Sequence, residues 1–188
     1  MRRSTLRARS SKDVKAAAGQ LSSEVAPSAP LSSEIARWVV FGLDAGRYAL
    51  PLAVVERIVR AAHITPLPLA PPVVLGAIDV EGHVLPVFNL RRKFRLPERT
   101  VDPADQFLIA RAAQRTVVLV IDAAHGVLER PAEAMIDAAH IAPTLGHVRG
   151  VIPLEDGLVL IHDLEGFLSA DESRALDEAM NQDNPRAE

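Results

Sequence analysis

Residues 76–94 and 150–168 align without a gap at a constant offset of 74. Gly76 meets Gly150, Ile78 meets Ile152, Glu81 meets Glu155 and Leu90 meets Leu164. Val80/Leu154, Val84/Leu158, Leu85/Val159, Val87/Ile161 and Asn89/Asp163 agree in kind, and only the turn glycine slips, Gly82 against Gly157. A weaker echo sets Tyr48-Ala-Leu-Pro51 against Val117-Val-Leu-Val120, and Ile58-Val59 against Val127-Leu128. Turn and cap positions recur together with the apolar ones. Each half is therefore expected to run hairpin, strand, hairpin, short helix, giving two small β-barrels rather than one large one. A unit of this size buries little apolar surface alone, so the two are expected to share a core.

The element pattern supports an all-β fold. Trp38–Leu43 and Arg47–Leu50 flank the turn Asp44-Ala-Gly46, and Val54–Val59 follows as a β-branched run. Val73–Val80 and Val84–Phe88 flank Glu81-Gly82, Phe107–Ala110 is followed by Thr116–Ile121 and Gly126–Glu129, and Gly150–Leu154 and Leu158–Ile161 flank Glu155-Asp-Gly157. Short strands at such spacing, separated by turn signals, are the pattern of barrels and sandwiches. Pro66-Leu-Pro-Leu-Ala-Pro-Pro72 lacks the N–H groups for a ladder and is expected to be an extended surface loop. Asn89 is a fair N-cap for a short helix ended by Pro97, and Ser169-Ala-Asp-Glu172 forms a capping box ahead of a C-terminal helix carrying Leu176, Ala179 and Met180 at helical spacing.

Composition removes several functions. The chain of 188 residues holds no cysteine, which excludes disulfides, thiolate metal sites and a cysteine nucleophile. Apolar residues make up 48% and aromatics only 4%, so the core must be built from Val, Leu, Ile and Ala, and base stacking is disfavoured. A net charge of −3 does not suit a general nucleic-acid binder. No apolar run approaches the roughly 18–20 residues that span a bilayer. The basic start, Arg2, Arg3, Arg7, Arg9, Lys12 and Lys15 against Asp13, has no apolar segment of a secretory signal behind it. Residues 1–34 show no sustained period and are expected to be a disordered N-terminal extension, separable from the domain. Residues 171–188, rich in Asp and Glu, are expected to be largely a solvated acidic run.

Catalytic and metal motifs are weak. Asp122/His125 and Asp137/His140 recur in matching Ile-Asp-Ala-Ala-His strings, but a site needs a third and a fourth ligand and no HxH or HExxH supplies them. There is no GxSxG and no phosphate-cradling glycine loop.

Phe41–Pro51, Val55–Ile58, Ile64–Pro68 and Leu75–Arg91, in this order, resemble the CheW domain, and Gly150–Leu168 resembles its closing hairpin and helix. The resemblance covers about residues 36–168. It implies two five-stranded SH3-like barrels in tandem around a shared core, spanning residues 35–168 and followed by a C-terminal helix and tail over 169–188. It implies a cytoplasmic, non-catalytic adaptor without cofactor. Such an adaptor couples a methyl-accepting chemoreceptor to a CheA-type histidine kinase. The alternative is a small β-barrel that binds a ligand or a metal. By resemblance, Val55, Arg57, Ile58, Glu81 and Gly82 lie at the receptor groove, and Val148, Val151, Asp156 and Gly157 are candidates for kinase docking. The family usually carries Glu and Arg where this chain has Arg57 and Glu81, and Asp79 and Asn89 replace the usual Asn and Asp. Reversal of both signs together implies that the two side chains face each other as an ion pair.

Overall fold

The computed structural model describes residues 34–112, 115–140 and 148–182. The expected extension, residues 1–34, lies outside the described residues except for Glu34, as do residues 183–188 of the acidic run.

Eleven strands are described. The first half supplies β1 (Ile35–Leu43), β2 (Gly46–Pro51), β3 (Val55–Arg60), β4 (Val74–Val80) and β5 (His83–Phe88). The second half supplies β6 (Gln106–Ala112), β7 (Arg115–Ile121), β8 (Ala123–Pro131), the two-residue β9 (Ile136–Asp137), β10 (Val148–Leu154) and β11 (Gly157–His162). They form two sheets, ordered β8-β1-β2-β11-β10-β9 and β3-β6-β7-β5-β4. The sheets are not partitioned by chain order. The first hairpin of each half joins the second hairpin of the other, so the two SH3-like units interlock.

The repeat explains this order. Exchanging β1, β2, β3, β4 and β5 with β6, β7, β8, β10 and β11 turns the five-stranded order into that of the six-stranded sheet without its last strand, β9. The equivalence holds at residue level, because Ile161 pairs with Ala49 in the parallel β11–β2 ladder as Val87 pairs with Val118 in β5–β7. One offset of 74 and another of 69 relate these four positions, which are the strong and the weak echo in the sequence. The bulges repeat too: the β4–β5 register shifts between Val74 and Gly76, and the β10–β11 register between Val148 and Gly150.

Three cores follow. One unit is filled by Trp38, Val40, Ala49, Ile152 and Ile161, and the other by the equivalent Phe107, Ile109, Val118, Ile78 and Val87. The alternate residues of the same strands, Val39, Phe41 and Leu50 against Leu108, Ala110 and Leu119, turn the opposite way into one shared core. A period of two thus serves two cores at once, which is why these strands are buried on both faces.

Local signals fall where expected at the caps. The Asn89 side chain accepts from the Arg92 N–H and starts α1 (Leu90–Lys93), a single turn shorter than the sequence suggests. The matching stretch of the second half, Asp163–Leu168, forms turns rather than a helix. The capping box is complete: Ser169 N–H donates to Glu172 Oε2 at 2.8 Å and Glu172 N–H to Ser169 Oγ at 3.2 Å, opening α2 (Ala170–Gln182). Asp171, Asp177 and Glu178 of this helix are exposed, while its apolar face and two of its carboxylates meet the domain. Leu176 is fully buried in the shared core, Asp177 pairs with Arg115, and Glu172 lies 3.5 Å from Lys93 Nζ.

Candidate functional site

The turn after β4 is built to present one carboxylate. Val80 pairs with His83, leaving Glu81 and Gly82 as a two-residue loop, and both have positive φ, 57° and 86°. That is the backbone of the hairpin turn that matches strand twist. Asp79 Oδ1 accepts the Gly82 N–H at 2.7 Å and pins the loop. Glu81 then reaches across to β3, where Arg57 Nη1 donates to its Oε1 at 2.8 Å. The pair joins the strand at one edge of the sheet to the hairpin at the other. It borders a shallow depression of about 430 Å³ lined by Glu56, Val80, His83, Val84 and Thr116. Hydrogen bonding to Arg57 holds the Glu81 carboxyl below its ordinary range, and the same bond raises the Arg57 guanidinium. Both residues are exposed.

The other expected groove residues divide. Gly82 is exposed at the turn, whereas Val55 and Ile58 are half-buried and pack on the shared core. Among the kinase candidates, Asp156 and Gly157 are exposed and Val148 is half-buried. Val151 is a correction. It is 6% exposed and sits inside the sheet, paired with Leu160 of β11 on one side and Ile136 of β9 on the other. It belongs to the interior and cannot be an exposed contact.

Repeat symmetry is broken at this place. In the other unit the position equivalent to Arg57 is Gly126, so Glu155 has no such partner strand residue. Its hairpin leans instead on β2, where Arg47 Nη1 and Nη2 donate to the Asp156 carboxylate and carbonyl at 2.8 and 2.9 Å. The two units therefore present different charged edges: in the other unit Arg37 of β1 pairs with Glu129 of β8 at 2.8 Å, and among the described residues an Arg–Glu pair from edge strand to hairpin turn is found only at Arg57–Glu81.

A second charged group escaped the sequence reading. Arg91 of α1 is 6% exposed; it donates to both carboxylate oxygens of Asp122 at 2.8 Å and to Asp44 at 2.7 Å. Arg99 binds the buried Asp105 at 2.6 and 2.8 Å and Asp122 at 2.8 Å. The β1–β2 turn, α1, the end of β7 and the loop before β6 are tied together by this network. Burial pushes the Asp122 and Asp105 carboxyls up, but hydrogen bonds from the arginines and backbone N–H groups outweigh it and leave both lowered. The partners lie 31 and 47 residues from Arg91, so no spacing rule could find them. Asp122 is thereby committed to arginines, and among the described residues no group of three His, Asp or Glu side chains could hold a metal.

The chain matches the family described as the CheW-like domain over residues 37–172. It is 24% identical over 144 residues to a chemotaxis protein CheW of Treponema pallidum, covering 73% of this chain and 85% of that one. It is 25% identical over 142 residues to a chemotaxis protein CheW of Klebsiella aerogenes, covering 74% and 86%. The crystal structure of the scaffolding protein TtCheW from Thermoanaerobacter tengcongensis superposes with a TM-score of 0.67 at 23% identity, covering 74% of this chain and 96% of that one.

Proposed function

The chain belongs to the CheW-like domain family, and from that premise we propose that it is a non-catalytic chemotaxis adaptor that couples a chemoreceptor to a CheA-type histidine kinase. The observation that carries this reading is the extent of the family match, which takes in both interlocked sheets and the start of α2. Nothing in the described geometry competes with it. Among the described residues no helix is long and apolar enough to cross a membrane, and we place the adaptor on the cytoplasmic side of receptor arrays.

The receptor-facing edge is the Arg57–Glu81 pair with Gly82. An exposed pair adds little to stability, because water and salt screen it and two long side chains must be ordered. Its larger effect is on partner choice, because a like-charge meeting in the wrong complex is costly. Either reversal alone, Arg57→Glu or Glu81→Arg, is expected to weaken binding of the receptor signalling tip in a titration, with the melting temperature nearly unchanged. The double swap restores the pair and is expected to recover binding to receptors that serve relatives with the usual polarity. A double variant that binds every receptor tip no better than the worse single variant overturns the specificity role.

A further inference from the structure

The two halves differ in the stretch that follows their second hairpin. In the first half Asn89 caps α1, whereas the matching residues of the second half, Asp163–Leu168, form turns that lead into α2. Those turns and the first part of α2 do not fill the space beside the start of β7. They leave a cleft of about 310 Å³. Small-molecule sites occupy about 300–1,000 Å³, so the cleft has room for a small ligand.

The floor of the cleft is apolar. Phe88 and Phe167 are buried there, their rings edge to face at 5.6 Å. The rim carries charges of both signs. Ser173 and Asp177 lie four residues apart, and so on one face of α2, while Arg115 enters from β7 and Glu165 from the turns. Arg115 donates one N–H to Asp177, and among the described residues its other donors have no acceptor. Its side chain is only 28% exposed. Arg91, by contrast, donates to Asp44, Asp122 and the Pro97 carbonyl. The exposed Glu165 has no ion-pair partner among the described residues, and the half-buried Ser173 hydroxyl makes no hydrogen bond among them. Uncommitted donors and acceptors thus converge over an apolar floor, where poor solvation strengthens a charge-assisted hydrogen bond.

We propose that this cleft binds a free apolar α-amino acid. Its carboxylate takes the remaining donors of Arg115 and the Ser173 hydroxyl, its ammonium lies against Glu165 and Asp177, and its side chain rests on Phe88 and Phe167. The rim charges choose the occupant. A simple acid meets the carboxylates of Glu165 and Asp177 without compensation, and a simple amine leaves the Arg115 donors unused. A zwitterion satisfies both signs at one mouth. The site is independent of the adaptor reading. An occupant there ties α2 to β7 and to the turns, beside the link that Arg115 and Asp177 already make.

The full chain is titrated by calorimetry with L-leucine and with L-phenylalanine, and thermal melts are recorded across the same concentrations. Both amino acids are expected to bind and to raise the melting temperature as their concentration rises. Glycine, which lacks the apolar side chain, is expected to bind about tenfold more weakly or worse. Phenylpropionate, without the ammonium, and phenethylamine, without the carboxylate, are each expected to lose about tenfold against L-phenylalanine. Arg115→Gln and Glu165→Gln are expected to weaken L-leucine binding by a similar factor. Glu165 is exposed and unpaired among the described residues, so Glu165→Gln is expected to melt as the parent does, and it decides the matter if Arg115→Gln loosens α2. Absence of binding by both amino acids overturns the proposal. So does glycine or either analogue binding as tightly as L-phenylalanine, or a folded Glu165→Gln chain with unchanged affinity for L-leucine.

Discussion

Replacement of Gly76 by alanine is expected to lower the melting temperature by about 10 °C, with roughly 2–5 kcal/mol lost. Gly76 sits at the β4 bulge with φ at 149°, a conformation that side chains rarely adopt. A Cβ there would overlap the Thr65 carbonyl oxygen and stand 2.8 Å from Ile64 Cγ2. That oxygen accepts the Ala77 N–H at 2.8 Å in the bridge that holds the proline loop on the sheet, so it cannot retreat without breaking it. Gly150 is the repeat-equivalent control: its Cβ would stand 2.7 Å from the Ile136 oxygen, and the flexible Met135 side chain supplies its other close neighbours. Gly150→Ala is expected to cost less. Gly82→Ala meets open space and bears only the strain of φ at 86°, about 1–3 kcal/mol. Denaturant melts of the three variants check the order. Equal losses would show that steric overlap at Thr65 is not the cause.

Arg91→Met is expected to destabilise by about 2–4 kcal/mol, the next largest effect. The substitution keeps the apolar stem but removes the charge that two carboxylates share, leaving Asp122 in a partly dry site. The Arg91 side chain is 8% exposed while Asp44 is 47% exposed, so the Asp44 contact is discounted for solvent and the Asp122 contact dominates. The same network sets the acid limit of the fold. Asp122 and Asp105 are lowered in the folded chain. Their stabilisation is therefore full above the unfolded carboxylate value of about 3.9 and is lost as pH falls through the lower folded values. Stability is expected to be flat from neutral pH down to about 5 and to fall steeply below about 4. Arg91→Met should flatten that acid limb. A variant with an unchanged acid limb would place the titration elsewhere.

What could be read from the sequence was what the chain decides locally or twice. Asn89 and Ser169 cap helices with the residues next to them, and Glu81-Gly82 makes its turn within one hairpin, so their roles show in short strings. The repeat carried the pairing, because two copies of one unit bury the same positions. The interlocking of hairpins between halves did not show, since the echo in the first hairpin is weak and its offset differs from that in the second. Arg57 and Glu81 were found through the joint reversal of their signs against a family pattern. Arg91, Asp44, Asp122, Arg99 and Asp105 were not, because their contacts are set by tertiary packing over long sequence separations. Val151 misled because Gly150, Val151 and Ile152 are buried in succession along β10, so alternation does not mark an outward side there. Leu176 and Ala179, at helical spacing, mark the face by which α2 docks, and only the ion pairs of its acidic residues were not legible.

The proposed coupling of receptor to kinase is open to direct reconstitution. A CheA-type kinase encoded with the chain is mixed with membranes bearing its chemoreceptor, and kinase autophosphorylation from ATP is followed with and without the purified adaptor. Autophosphorylation is expected to rise only when receptor, kinase and adaptor are all present, and to respond to receptor ligand only then. Receptor control of the kinase that is the same in the absence of the chain would contradict it.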